Sequence, residues 1–253
     1  MRPLILISND DGFTAKGIRT LAEEAMKYGD VVVMAPERNA SGKSHSLTTE
    51  RPLRVQQLQQ VEGLSVYACD GTPVDCVKLA VEYFCPRPPA LVLSGINSGS
   101  NSSINVLYSG TMGAVIEATA LGFDAIGFSL LNHNPNADFS GCLPSVNHII
   151  AYVLEYGLPD NVSLNVNIPR LPADEIKGIR ICHEAKARWL DSFEQRTDPI
   201  GRPYWWLTGK FECIDPPEGS DEWALAHGYV SVVPTCPDFT HYDSIEQLKP
   251  LAL

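Results

Sequence analysis

Short apolar runs alternate with polar, glycine-containing segments along the first half of the chain. A run of four to eight apolar residues that ends in turn residues predicts a buried strand, because it is too short to form a helix alone. Four such strands are predicted, at residues 4–7, 30–36, 90–95 and 125–130. Small polar residues follow each run, as expected for a loop.

Apolar residues at helical spacing lie between and after these strands. They predict helices at residues 17–26, 73–84, 112–122 and 146–156. Thr72 suits the N-cap of the second helix, Pro73 suits its first position, and Asp75 lies in its first turn. We therefore interpret Asp75 as structural before functional. The alternation of strands and helices predicts the α/β class, with a doubly wound, mostly parallel sheet and helices on both faces.

Further strands are predicted outside this regular alternation, at residues 53–55, 64–68, 162–169, 179–182 and 228–235. We interpret the first two as antiparallel additions to the sheet. Residues 162–169 alternate apolar and polar side chains, which is typical of a strand that is buried on one face only.

The character of the sequence changes past about residue 185. Residues 204–209 are aromatic and β-prone, Trp189 and Trp223 add two more indoles, and residues 215–221 form an acidic loop with proline and glycine. Aromatic residues are enriched at protein interfaces, so this part is expected to form an arm that grips another subunit. An extension packed on its own core is the alternative, because large aromatics dominate cores as well.

Polar loops follow three of the predicted parallel strands, at residues 9–11, 39–46 and 95–101, and a fourth, residues 109–111, opens a helix. In a parallel sheet all of them face the carboxyl edge, where ligands bind in open α/β folds. Backbone amides at the start of that helix also suit an anion. Taken singly, each loop also fits an ordinary solvated turn or helix cap.

Together these loops supply a set of oxygen donors that includes no histidine or cysteine ligand. The donors are Asp10, Asp11, Ser41 and Asn97. Adjacent carboxylates repel each other unless a cation neutralises them, and an all-oxygen set suits magnesium, manganese or calcium better than zinc. A metal that polarises a phosphoryl oxygen, with hydroxyls and amides around it, suggests metal-assisted hydrolysis of a phosphate ester.

Charge and composition narrow the range of partners. The net charge of −11 and the lack of a basic stripe argue against nucleic acid as a partner, but a bound cation would still allow a small phosphorylated ligand. With 44% hydrophobic and 19% charged residues, the 253-residue chain is expected to be globular. No Gly-x-Gly-x-x-Gly follows the first strand, which disfavours a dinucleotide enzyme.

The cysteines and apolar segments indicate a compartment. Seven cysteines without metal-ligand spacing suit reduced thiols in a cytosolic protein. The first apolar run is too short for a signal peptide, and no run approaches the ~20 residues of a membrane helix. We expect a cytoplasmic protein without a membrane partner.

Five blocks of the chain resemble the signature blocks of the survival protein E (SurE) family of metal-dependent 5′/3′-nucleotidases. They are residues 8–12, residues 35–36 with 41–42 and 44–48, residues 71–77, residues 94–101, and residues 108–111 with 113–114. The five occur in the family order, which makes the match specific where a single Asn-Asp-Asp-Gly would not be. Residues 165–169 and 228–231 are similar as well.

The resemblance implies one divalent cation, Mg²⁺ or Mn²⁺, and a Rossmann-like core. It implies that the cation is held by Asp10, Asp11, Ser41 and Asn97, and that phosphate lies near Asn9, Gly42, Ser109, Gly110 and Thr111. The implied reaction is dephosphorylation of nucleoside monophosphates and, in some members, of short polyphosphate. It also implies a dimer, or a dimer of dimers, with exchanged C-terminal arms. Members vary over residues 39–43, which leaves the role of Lys43 open.

Several assignments stay open at the level of sequence. Asp10 and Asp11 are the catalytic candidates, either beside an attacking water or as a covalent nucleophile. His45 is a further phosphate-binding candidate and a conceivable acid or base, although a lone histidine in a polar loop is more often a hydrogen-bonding partner. A nucleotide-binding regulator without turnover is the alternative function.

We expect residues 1–185 to form the Rossmann-like catalytic core. Residues 186–253 would add a hairpin or arm and a closing strand, as part of the same domain and for use in oligomerisation.

Overall fold

A computed structural model describes residues 2–134, 136–214 and 216–252. The strands are β1 (Leu4–Ser8), β2 (Asp30–Pro36), β3 (Val55–Val61), β4 (Leu64–Cys69), β5 (Leu91–Ser98), β6 (Ala125–Leu130), β7 (Ser163–Ile168), β8 (Ile179–Ile181), β9 (Arg188–Thr197), β10 (Pro203–Glu212) and β11 (Val230–Thr235). The α-helices are α1 (Lys16–Ala25), α2 (Pro73–Leu79), α3 (Gly110–Ala120), α4 (Leu143–Tyr156), α5 (Asp221–Ala226) and α6 (Ile245–Leu248).

Nine strands form one sheet in the order β3-β4-β2-β1-β5-β6-β7-β11-β8. The central strands β2, β1, β5, β6 and β7 run parallel to one another. Strand β3 is antiparallel to β4, as expected, but β4 itself is parallel to β2, so the expectation of an antiparallel addition is wrong for β4. The mostly parallel sheet confirms the predicted α/β class.

Helices cover both faces of the sheet, as predicted. On one face, Ile5 and Ile7 of β1 pack in a cluster with Leu21 of α1 and Ile149 of α4. On the other face, Leu6 packs in a cluster that includes residues of α2 and α3. Because neighbouring side chains of β1 enter opposite clusters, the whole strand is buried and its sequence is a continuous apolar run.

Strand β7 departs from the prediction of a strand buried on one face. Its polar residues Asn165 and Asn167 are buried. Asn165 Nδ2 donates to the carbonyl oxygen of Asn101 at 2.8 Å, and Asn167 Oδ1 accepts from the backbone amide of Asn101 at 2.8 Å. The alternation arises because these side chains hold a loop that follows β5, and hydrogen bonds offset the cost of their burial.

Strands β9 and β10 form a separate antiparallel hairpin, from the pair Arg188–Glu212 to the pair Thr197–Pro203. Its side chains are largely exposed, and Trp205 and Trp206 are 56% and 59% accessible. The chain then returns to the main sheet as β11, which pairs with β7 and β8. No described helix is long and apolar enough to cross a membrane.

The acidic segment predicted as a loop at residues 215–221 is only partly described, because Asp215 lies outside the described residues. Helix α5 begins at Asp221, which is buried, and Ser220 caps it by accepting from the amide of Trp223. The sequence prediction did not include this helix, since its six residues are too few to show a helical period.

Candidate functional site

The carboxyl ends of β1, β2 and β5 bring three of the predicted loops to one side of the sheet, beside the start of α3. A cavity of about 620 Å³ opens there. It is lined by five of the predicted site residues: Asp10, Ser41, Gly42, Asn97 and Ser109. Residues from four separate segments therefore meet at one place, as the parallel topology requires.

Asp10 is the most enclosed acid of this site, with 3% of its surface accessible. The hydroxyl of Thr111 donates to its Oδ1 at 2.6 Å. Burial raises the pKa of Asp10, and hydrogen bonds from the Thr111 hydroxyl and from the amides of Thr111 and Gly110 oppose the rise. A Cβ added at Gly110 would lie 2.8 Å from the Asp10 Cβ, so a glycine is needed for α3 to begin this close to the carboxylate.

Asn9 acts within the turn that carries Asp10 and Asp11. Its Nδ2 donates to the carbonyl oxygen of Gly12 at 3.0 Å, and its Oδ1 accepts from the amide of Gly12 at 3.2 Å. Gly12 itself has a φ of +97°, which favours glycine. Asn9 is thus occupied in shaping the turn.

Asp11 links two of the strand-end loops. Its Oδ2 accepts from the backbone amide of Ser98 at 3.1 Å, at the end of β5. Burial raises the pKa of Asp11 and the neighbouring charge of Asp10 raises it further, while hydrogen bonds from Ser98 oppose the rise. Two adjacent carboxyl groups with raised pKa values are a frequent mark of a functional site.

These shifts predict how the metal-free protein responds to pH. Because both pKa values are raised in the folded state, the native protein binds more protons than the unfolded chain above about pH 4, where an unfolded Asp ionises. The pair's contribution to the free energy of unfolding is therefore complete below about pH 4 and is lost as the pH rises through the folded pKa values.

Guanidinium unfolding of metal-free wild type and of Asp11→Asn at a series of pH values measures this effect. We expect the free energy of unfolding of the variant to rise relative to that of wild type as the pH rises from about 4 to neutrality. A difference that does not change with pH would contradict the raised pKa values.

Asn97 presents a neutral oxygen to the cavity. It is buried, and its Nδ2 donates to the carbonyl oxygen of Gly99 at 3.0 Å, which leaves Oδ1 without a donor among the described residues. The loop that follows Asn97 is held by hydrogen bonds between its Asn101 backbone and the side chains of Asn165 and Asn167. The sequence did not reveal this role. A Cβ added at Gly17 would lie 2.0 Å from the carbonyl oxygen of Ile96, so α1 packs directly on the backbone beside Asn97.

Ser41, Gly42 and Ser109 also line the cavity. Ser41 and Gly42 are exposed at the tip of their loop, where the amide of Ser41 donates to Asn39 Oδ1 at 2.8 Å. Ser109 is the N-cap of α3 and accepts from the amide of Met112 at 3.0 Å. Helix α3 therefore begins at Gly110, two residues before the start predicted from sequence.

His45 does not line this cavity but lines a neighbouring one of about 550 Å³, and Ser109 lines both. The Nε2 of His45 lies 2.7 Å from Oε2 of Glu117, and Lys78 Nζ lies 2.7 Å from Oε1 of the same carboxylate. The lysine and the histidine lower the pKa of Glu117, against the effect of its burial. Glu117 therefore ties the loop that carries Ser41 to α3, a role that sequence alone did not indicate.

The donor set fits a hard divalent cation. Within the described ranges neither Asp10 nor Asp11 forms a salt bridge, and no three His, Cys, Asp or Glu side chains cluster as a metal site. The available donors are two carboxylates, a hydroxyl and an amide oxygen, which match magnesium or manganese rather than zinc. Such an ion would neutralise the two carboxylates, which have no positively charged partner among the described residues.

Comparison with known proteins gives a consistent result. A family model described as survival protein SurE matches residues 5–191. The chain is 48% identical over 249 residues to a Phocaeicola vulgatus protein named 5′-nucleotidase SurE, with 98% of this chain and 96% of that protein covered. It is 50% identical over 254 residues to a protein of the same name from Christiangramia forsetii, with 100% and 98% covered.

A solved structure, that of the SurE protein from Aquifex aeolicus, is similar to the whole fold. The TM-score is 0.84 at 38% identity, over 98% of this chain and 99% of the other. The separate hairpin and the returning strand β11 both lie within the matched length.

Proposed function

The chain belongs to the SurE family, and on that premise we propose that it is a 5′-nucleotidase, which releases phosphate from nucleoside 5′-monophosphates. We include nucleoside 3′-monophosphates and short polyphosphate among its substrates. The observation that carries the proposal is the single cavity that joins Asp10, Ser41, Gly42, Asn97 and Ser109. Acidic, neutral and hydroxyl oxygens together with backbone amides are the groups that a metal-assisted phosphoester site requires.

SurE nucleotidases are generally metal-dependent. We propose that Asp10, Asp11, Ser41 and Asn97 hold one divalent cation, Mg²⁺ or Mn²⁺. When bound, such an ion polarises a phosphoryl oxygen and lowers the pKa of water. The Thr111 hydroxyl and the close start of α3 keep Asp10 in place, and the Ser98 amide does the same for Asp11.

The phosphate group is assigned to the wall formed by Gly42 and Ser109. A glycine at the loop tip lets backbone amides approach the phosphate, and the hydroxyl hydrogen of Ser109 is left to donate to an oxygen of the substrate. The start of α3 adds a favourable dipole for the negative charge. We assign Asn9 and Thr111 to the positioning of the acidic turn and of Asp10, since their polar atoms are already hydrogen-bonded there. His45 is assigned to holding its loop through Glu117.

The test is a screen of purified protein, after removal of metal, with AMP, GMP, 3′-AMP and tripolyphosphate against magnesium, manganese, calcium and zinc. We expect phosphate release from the 5′-monophosphates with magnesium or manganese and only background release with chelator. Stoichiometric AMP binding without phosphate release would favour the regulatory alternative instead.

We also propose a dimer, or a dimer of dimers, with exchanged C-terminal arms. The exposed aromatic side chains of the β9–β10 hairpin and of residues 236–252 support this, since a monomer would leave that apolar surface in water. The cytoplasm is the proposed compartment, and the seven cysteines, which are all free thiols, support it.

A further inference from the structure

The cavity lined by Asp10 extends beyond the residues assigned to the metal and the phosphate. Its lining also includes the hairpin, through Trp189, Asp191, Leu207, Thr208 and Gly209, and Asn105 and Tyr108 between β5 and α3. The hairpin thus lines the cavity of its own chain. The lining thus combines the oxygen donors with aromatic and apolar surface from Trp189, Leu207 and Tyr108.

We propose that this hairpin wall, formed by Trp189, Leu207 and Gly209 together with Tyr108, is the nucleoside subsite, and that the nucleobase stacks on Trp189. The inference rests on the proposed function, because it assigns the second half of the same substrate. A volume of about 620 Å³ lies within the range of small-molecule sites and exceeds what a phosphate group alone fills.

Trp189 is held as a rigid surface although 40% of it is exposed. Its Nε1 donates to Asn105 Oδ1 at 2.8 Å, and its ring contacts Phe211 edge-on, with 5.7 Å between centroids. The indole N–H is its only polar group, so what remains for a ligand is the apolar ring. A fixed aromatic ring loses little entropy when a base stacks on it.

The register of the hairpin explains which side chains face the cavity. Trp189 pairs with Phe211, and Asp191 pairs with Gly209, so alternate residues of both strands lie on this face. Gly209 has no side chain, which leaves room beside the indole. Trp206 belongs to the opposite set of the alternation and does not line the cavity, although Thr208 of the same set does reach it.

Charge sets the direction in which a nucleotide would lie. Asp191 places a carboxylate at the hairpin end, where it repels a phosphate and can accept from a ribose hydroxyl or an exocyclic amine. Asn105 accepts from Trp189 through its Oδ1, so its Nδ2 can donate to an acceptor on the ligand. The phosphate therefore belongs at the Gly42–Ser109 wall and the nucleoside at the hairpin wall.

The experiment compares AMP with ribose 5-phosphate, which carries the same phosphate but no base. In wild type, Trp189→Ala, Trp189→Phe and the matched hairpin control Trp206→Ala, we measure kcat/KM for both substrates and the binding of adenosine by calorimetry. Removal of a stacking aromatic is expected to lower kcat/KM for AMP about 10-fold and adenosine affinity by a similar factor. Ribose 5-phosphate should change less than about 2-fold, and Trp189→Phe should keep most of the AMP activity. Trp206→Ala changes the surface proposed for the dimer, so it should keep the wild-type ratio of AMP to ribose 5-phosphate turnover and the wild-type adenosine affinity.

Equal losses for AMP and ribose 5-phosphate in both Trp189 variants would overturn the subsite, as would undiminished AMP turnover in Trp189→Ala. If the wild type releases phosphate from neither substrate, the proposed function fails, but the adenosine measurement still decides the subsite. Adenosine binding that is lost in Trp189→Ala and kept in Trp206→Ala supports it, and binding that is unchanged in Trp189→Ala overturns it.

Discussion

Asp11→Asn is expected to lower cation-dependent phosphate release by at least ~10²-fold while the protein stays folded. The substitution keeps the shape of the side chain and an oxygen that can accept from the Ser98 amide, but it removes one of the two charges that would neutralise the cation. It also removes the repulsion between Asp10 and Asp11 in the metal-free protein. The free energy of unfolding should therefore hold or rise, by ~0.5–2 kcal/mol, as is common where function has been exchanged for stability.

Steady-state phosphate release at saturating magnesium or manganese, together with denaturant unfolding of the metal-free protein, measures both effects. Asp160→Asn, at an exposed aspartate outside the cavity, is the matched control and should leave both quantities unchanged. Undiminished turnover by Asp11→Asn would refute the proposed metal role. A large loss of stability would instead make Asp11 a structural residue.

Gly113→Ala is expected to lower activity about 100-fold through the position of a loop, because displacements of about 1 Å can cost this much. A Cβ at Gly113 would lie 2.4 Å from the carbonyl oxygen of Ser44, a backbone atom that cannot turn away. The loop must then move from α3, and Ser41 and Gly42 move with it. Alanine has a higher helix propensity than glycine, so a loss of activity could not result from a weaker α3. It would result from the contact of the new Cβ with the Ser44 carbonyl oxygen.

The matched control is Gly141→Ala. Its Cβ would lie 2.4 Å from the carbonyl oxygen of Leu171, the same overlap away from the cavity. Both variants should lose about 1–3 kcal/mol of unfolding free energy to overpacking. At a temperature where both are folded, only Gly113→Ala should lose kcat/KM. Equal kcat/KM in the two variants would show that the loop position does not matter for turnover.

Much of the site can be predicted from sequence because the topology of the sheet determines which loops meet. The strand ends could be read from apolar runs, and a parallel sheet must bring their loops to one edge. Asp10 of the acidic turn, the Asn97 loop and Ser109 line one cavity. The assignment of individual roles to these residues stays a prediction that the experiments above test.

Other parts of the site depend on contacts between distant segments, which a period or a motif does not encode. Glu117 appeared as one acid in an Ala-rich helix, yet it pairs with Lys78 and His45 from two other segments. Trp189 was considered only as interface or core, because nothing local shows that the hairpin folds back over the cavity. The alternation in β7 was misleading for the same reason, since the partner of its polar face is a loop about 64 residues earlier.

The asparagines of β7 have a consequence for how acid would inactivate the protein. Amides neither gain nor lose protons over the range in which carboxyl groups do. The support beneath the Asn97 loop therefore keeps its hydrogen bonds at pH values at which Asp10 and Asp11 become neutral. The amide support of Asn101 and the charged pair therefore respond to different variables, whereas Ser102 and Ser103 of the same loop are held by the carboxylates of Glu222 and Asp221, which acid can protonate.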